Sequence, residues 1–323
     1  MAVDRKEMIE QERLLQEIAV LYYKDKRTQE EIASLYGISR TKAFQLISEV
    51  QQHGIVDIFI DYPEYWHTDA EKKLCGYFPN TRVYVINTRN HSIASSFDMV
   101  CSAAADYLNG IISNKAVLSI ARGKTMCRML QFLSPYQTYP GMEVIQLSGM
   151  MEQKEPFYEE MDLVQRVAEI YGCHYQCFAL PYIVDTEELR NQLLQFVMQE
   201  DFRELMSRVD ILFSSSSTLE PWQYSLDQKD FNNLLNTSVV GSFEGVFLDI
   251  QGKVVQIPLY KRLITPEEKY IRGIKNRICV ASGGYKAQAI LAVLRSGLAT
   301  TVFIDSNLAI KILNLIETNR YEI

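Results

Sequence analysis

The sequence predicts an α/β protein in two parts: an N-terminal helix-turn-helix (winged-helix-like) domain over residues 1–62 and an effector and oligomerisation domain over residues 63–323, built on a doubly wound, mainly parallel sheet. Three observations lead there. The segment from Arg13 to Gly54 carries three successive helical apolar repeats with a glycine turn before the third. From Thr81 onward, short β-branched and apolar runs alternate with helical ones. A length of 323 residues, 47 % hydrophobic and 23 % charged, exceeds the usual single core.

In the first helix Leu14, Leu15, Ile18, Ala19, Leu21 and Tyr22 recur at helical intervals and line one buried face. Thr28 stands just before Glu30 and Glu31, where its hydroxyl accepts from unpaired backbone N–H groups and the carboxylates favour the helix dipole. The second helix carries Ile32, Ala33 and Leu35 inward. Gly37 supplies positive φ at its end, Ile38 plugs the small core and Ser39 caps the next helix. In that third helix Ala43, Leu46, Ile47 and Val50 share one face, leaving Arg40, Thr41, Lys42 and Gln45 on the other. Side chains at the start of such a helix meet the major groove, so Arg40 and Gln45 are the expected base readers and Lys42, Thr41, Ser39 and Thr28 their neighbours on operator DNA. The other reading of this pattern is a small helical bundle with an ordinary solvated face.

Charge bears on that expectation. With 33 Lys plus Arg against 40 Asp plus Glu, the net charge is −7, and one acidic-bodied copy holds phosphate weakly. Several heads on one operator compensate through effective concentration, which predicts a homo-oligomer, a dimer or a tetramer. The longest apolar runs, such as Ala116 to Ala121, are too short to span a bilayer, and the polar start from Met1 to Gln16 is no signal peptide, so a cytoplasmic location without membrane contact is expected. The six cysteines are scattered and read as reduced thiols. Cys173, His174 and Cys177 offer three potential ligands where a closed zinc site wants four, so the two cysteines read as core residues beside a strand, and no metal or cofactor is expected.

After the head, Ile55 to Ile60 alternates as a strand and Pro63 ends it at a hinge. Trp66 to Phe78 reads as a helix. The strands expected beyond are Val83 to Asn87, Ala116 to Ala121, Glu143 to Leu147, Tyr175 to Leu180, Val209 to Phe213, Ser238 to Leu248, Ile278 to Ala281 and Thr300 to Ile304, with helices between most of them. Ligands of such sheets bind beyond the carboxyl ends of the strands. Three loops there suggest chemistry: Arg122-Gly123-Lys124-Thr125, Ser148-Gly149, and Ser282-Gly283-Gly284-Tyr285-Lys286. Glycine lets a backbone approach an anion, and a lysine at a helix start adds charge, so the first and third together point to phosphate. Each alone is equally the ordinary geometry of a strand-to-helix turn.

The head segment YYKDKRTQEEIASLYGISRTK and the runs SIARGKTM, VIQLSGM, FALP, VVGSFEGVFLDIQGKVV and CVASGGYKAQAI, in this order and spacing, resemble the SorC-type sugar-binding transcription regulators over nearly the whole length. The resemblance implies a repressor or activator of a carbohydrate-related operon, not an enzyme, whose C-terminal domain is related in fold to sugar-phosphate isomerases and binds a phosphorylated sugar. It implies phosphate contacts at Gly123, Lys124, Thr125 and Lys286, close backbone approach at Gly283 and Gly284, and a small-residue turn at Ser148 and Gly149. Ser242 falls where the family commonly has a sugar-binding aspartate.

The chain departs from the family within that pocket. Ser242 removes a carboxylate, Leu180-Pro181-Tyr182-Ile183 stands for LPAP, Ser214 to Ser217 replace a Gly-x-Gly turn, and Arg122 stands where small residues are usual. Glu220 and Glu244 are the candidates to supply the missing carboxylate. The departures leave open an altered ligand, or a domain that serves oligomerisation alone. A sugar-phosphate enzyme would need a general base, and a serine at 242 with no evident partner is a poor one.

Overall fold

The computed structural model describes residues 13–52, 55–56, 68–150, 160–177, 180–197 and 206–318. The chain forms two compact units, Met1–Tyr62 and Pro63–Ile323.

In the first unit, helix α1 runs over residues 13–24 and closes in a π-helical turn, Val20–Lys24; α2 is Gln29–Tyr36 and α3 is Arg40–Gln52. Leu15, Ile18, Ala19, Ile32, Ala33, Ala43, Leu46, Ile47 and Val50 form its core, with Leu14, Leu21, Tyr22 and Ile38 packed at the margin. Local chemistry sets the boundaries. Thr28 and Glu31 exchange hydrogen bonds in a capping box at the start of α2, and Gly37 ends it in the left-handed region with φ 63°. Leu35 is not inward as its spacing suggested: it is 67 % exposed, because Ile32 and Ala33 already fill the stripe that faces α1 and α3. The strand expected from Ile55 to Ile60 and the hinge at Pro63 lie largely outside the described residues.

The second unit opens with α4 (Thr68–Tyr77), β1 (Arg82–Ile86), α5 (Ile93–Ile111), β2 (Val117–Ile120), α6 (Lys124–Leu130), β3 (Glu143–Ile145), α7 (Glu160–Tyr171), β4 (His174–Gln176) and α8 (Glu187–Val197). It continues through β5 (Ile211–Ser214), β6 (Ser216–Ser217), α9 (Gln228–Leu235), β7 (Val239–Phe243), β8 (Val246–Asp249), α10 (Glu268–Gly273), β9 (Asn276–Ala281), α11 (Ala287–Ser296), β10 (Thr301–Asp305) and α12 (Ser306–Thr318). Among the described residues seven strands pair in the order β1-β10-β9-β5-β2-β3-β4, all parallel. One core, with α4, α11 and α12, covers one face, and a second, with α5, α6 and α7, covers the other. Strands so enclosed are continuous apolar runs, as in Ile211-Leu212-Phe213.

The run from Ser238 to Leu248 is not one strand of this sheet. It folds back at Glu244-Gly245 into the antiparallel hairpin β7–β8, which joins β6 in a separate three-stranded sheet. The turn has φ 48° and 77° at its two central residues, as a type I′ hairpin requires. The order in which strands are added reverses between β2 and β5: β3 and β4 lie to one side, β9 and β10 to the other. That switch point opens the crevice in which such sheets hold ligands. Among the described residues no helix is long and apolar enough to cross a membrane.

Candidate functional site

In the first unit the outward face of α3 presents Arg40, Thr41, Lys42 and Gln45, all exposed. Ser39 caps this helix, its hydroxyl accepting from the Lys42 N–H at 3.2 Å. Thr28 is tied into its own helix start: its Oγ accepts from the Glu31 N–H at 3.2 Å and lies 3.1 Å from the Glu31 carboxylate. That box holds the Glu31 carboxyl below its usual range, the bond from the Thr28 N–H being the largest cause. Arg40 pairs with Glu30 at 3.1 Å, both side chains well exposed, so the guanidinium is held loosely. A concave surface of about 570 Å³ beside it is lined by Tyr22, Tyr23, Lys26, Arg27 and Thr28.

In the second unit the three suspected turns do lie at the carboxyl ends of β2, β3 and β9. After β2, Gly123 takes φ 116°, a conformation that L side chains rarely adopt, with open space where a Cβ would stand. Lys124 is exposed and Thr125 buried. After β9, Gly283 has φ 97° and Lys286 closes the turn. The Cys101 thiol on α5 joins these two turns: it donates to the Thr125 carbonyl at 3.9 Å, and Lys286 lies within electrostatic reach of it.

Lys286 is the most informative of these residues. Burial holds its ammonium below the usual 10.5, and the groups that oppose that shift are the thiols of Cys279 and Cys101. Burial pushes both thiols up to about 12, so at neutral pH neither is an anion. Among the described residues no carboxylate pairs with Lys286. A desolvated cation facing neutral groups favours an incoming anion.

Ser148 and Gly149 are bound differently. Gly149 donates to the Ile264 carbonyl at 2.8 Å, and a Cβ there would meet the Pro181 carbonyl oxygen at 2.4 Å. Its glycine therefore admits a neighbouring backbone. Ser242 is buried on β7 opposite Phe247, and its carbonyl accepts from Ser216 Oγ at 3.2 Å.

Several contacts at this end of the sheet join residues far apart in sequence, and Gln146, Trp222 and Asp305 carry no local pattern that marks them. The Arg122 guanidinium carbon lies over the Tyr182 ring, 3.3 Å from its centroid, so two departures from the family pattern are partners. Glu244 accepts from Ser214 Oγ at 2.7 Å, which brings a carboxylate to the end of β5; of the two candidates named above, Glu220 lies exposed in a short turn. Burial raises the Glu244 carboxyl, opposed by the Ser214 hydrogen bond and the Arg122 charge. Among the described residues the buried Gln146 Oε1 and Trp222 Nε1 meet no hydrogen-bond partner, an uncommon state for polar atoms. Asp305 organises the lysine turn: its carboxylate accepts from Ser282 Oγ at 2.9 Å, the Gly283 N–H at 2.6 Å and the Leu308 N–H at 2.8 Å.

Cys173 and Cys177, expected in the core, are only half-buried beside β4, whose three residues are all exposed. The cause is position, since β4 closes the edge of the sheet.

Comparison with known proteins bears on the fold and the family. The Sugar-bind family, described as a putative sugar-binding domain, matches residues 66–314. The chain is 24 % identical over 301 residues to the uncharacterized transcriptional regulator YjhU of Escherichia coli K12, covering 90 % of each chain. It is 23 % identical over 314 residues to the deoxyribonucleoside regulator of Bacillus subtilis 168, covering 94 % of this chain and 98 % of that one. The full-length sorbitol operon regulator SorC of Klebsiella pneumoniae superposes with a TM-score of 0.79 at 20 % identity, over 93 % of this chain and 98 % of that one. The second unit, with its glycine-lysine turns at the switch point of a parallel sheet, belongs to the family of sugar-binding domains that the SorC-type resemblance implied.

Proposed function

We propose that the protein is a DNA-binding transcriptional regulator of a carbohydrate-related operon and that a phosphorylated sugar, bound at the carboxyl ends of β2, β5 and β9, is its signal. The observation that carries the ligand reading is Lys286, a desolvated ammonium without a carboxylate partner among the described residues, at a glycine turn beside the start of α6. Gly123, Lys124 and Thr125 complete the phosphate end. Glu244, Gln146 and Trp222 offer acceptors and a donor suited to sugar hydroxyls. Arg40, Thr41, Lys42 and Gln45 face operator DNA, and a symmetric oligomer multiplies their weak single contacts. Ligand and DNA communicate if the ligand binds one arrangement of the oligomer better than another.

A regulator also fits the chemistry better than a catalyst does. Ser242 has no histidine, lysine or carboxylate hydrogen-bonded to it among the described residues, so it is not an activated nucleophile.

A second reading is favoured by Arg122 on Tyr182: two side chains larger than the family's usual residues fill space beside the site, as expected of a domain kept for oligomerisation. One experiment separates the two. Thermal unfolding of the intact protein is followed with a panel of sugar phosphates and the corresponding free sugars, since a ligand selective for the folded state adds about 2.7 kcal/mol at a hundred times its Kd. Stabilisation by one phosphorylated compound, with altered affinity for its own promoter region, supports the sensor. No response to any member of the panel leaves the oligomerisation reading.

A further inference from the structure

We infer that Phe44 reads thymine methyl groups in the operator, an inference that rests on the proposed DNA binding and adds a specificity residue to it. Phe44 is 55 % exposed on α3. It follows Arg40 by one helical turn and precedes Ser48 by another, with Thr41 and Gln45 alongside. The opposite face is complete without it: Ala43, Leu46, Ile47 and Val50 are buried in the core of the head. A single exposed apolar residue usually needs no explanation. This one is an aromatic ring, more than half exposed, in the middle of the polar face that Arg40, Thr41 and Gln45 present.

Base edges in the major groove carry hydrogen-bonding groups and one apolar feature, the C5-methyl of thymine. A helix laid there with Arg40 and Gln45 on purines places the Phe44 ring between them. One turn of helix, about 5.4 Å, spans one to two base-pair steps, so the contacted thymine lies within two steps of the purine read by Arg40.

The test begins with selection of duplexes from a random pool by the intact protein. Each thymine of the selected site is then replaced by deoxyuridine, which removes only the methyl group. The expected result is a loss of about fourfold in affinity at one or two positions per half-site. Phe44→Ala loses this sensitivity and relaxes selection at those positions, and Phe44→Leu keeps part of it. Enrichment of a sequence with no methyl dependence, or equal dependence in wild type and Phe44→Ala, overturns the role of Phe44 alone. Failure to enrich any sequence overturns the DNA-binding reading, and this inference with it.

Discussion

The hydroxyl of Ser214, last residue of β5, donates a 2.7 Å hydrogen bond to the carboxylate of Glu244 at the tip of the β7–β8 hairpin. The bond ties the antiparallel sheet to the switch point of the parallel one. It also explains why a residue other than glycine tolerates φ 48° there: Thr265 Oγ1 holds the Glu244 carbonyl at 2.6 Å while Ser214 holds the side chain.

The Glu244 carboxyl should make stability depend on pH. Burial raises it above the ordinary 4.5, so the folded protein keeps this proton to a higher pH than the unfolded chain does. Its stabilising contribution is therefore complete in acid and is lost as pH rises from the ordinary value through the raised one. Glu244→Gln removes that loss. In urea unfolding at a series of pH values, the variant should gain on the wild type across this window and hold a constant advantage above it; a difference independent of pH would mean that the carboxyl titrates normally.

Lys286→Met should separate ligand binding from folding. Replacing a desolvated cation that has no carboxylate partner among the described residues by an apolar side chain of similar length is expected to leave the ligand-free protein as stable or to stabilise it, by about 1 kcal/mol or more. The same variant should lose all thermal stabilisation by phosphorylated sugars while operator affinity in their absence is unchanged. A normal ligand response in the variant would place the phosphate elsewhere.

The legible parts of this molecule are those written in local chemistry. Thr28, Gly37 and Ser39 punctuate the head as their residue types dictate, and the turns at Gly123 and Gly283 take the positive φ that glycine permits. The hairpin at Glu244-Gly245 looks like a continuous strand in the sequence, because Glu-Gly lacks the Asn-Gly or Asp-Gly signature of a type I′ turn and the runs around it, Val-Val and Val-Phe-Leu, suit a strand equally well. Arg122 on Tyr182, Glu244 on Ser214 and Asp305 on Gly283 are contacts between distant segments, which no local pattern encodes.

Arg40 and Glu30 make opposite predictions. Arg40→Ala should cost about 1–3 kcal/mol of discrimination between operator and random duplex if the guanidinium reads a base, and equal losses on both would make it a phosphate contact. Glu30 competes with DNA for that guanidinium at 3.1 Å. Glu30→Gln frees it, so affinity for any duplex should rise at low salt and fall more steeply as salt increases. Fluorescence anisotropy with both duplexes over a salt series measures the two effects together.

Asp305 should act on ligand affinity without touching the ligand. Its carboxylate accepts three hydrogen bonds, two from the Ser282-Gly283 turn and one from the first turn of α12, and it is 3 % exposed. Asp305→Ala leaves these buried donors unsatisfied, at about 1–3 kcal/mol for each that finds no substitute, and is expected to unfold much of the protein. Asp305→Asn is the sharper probe. The amide has one accepting oxygen and turns N–H groups toward donors, so the turn that aims Lys286 loosens while most of the packing stays. Titration with whichever sugar phosphate stabilises the wild type should then show weakened binding in a protein that still unfolds cooperatively and still binds operator. Unchanged affinity in a folded Asn variant would mean that Gly283 and Lys286 hold their positions without Asp305.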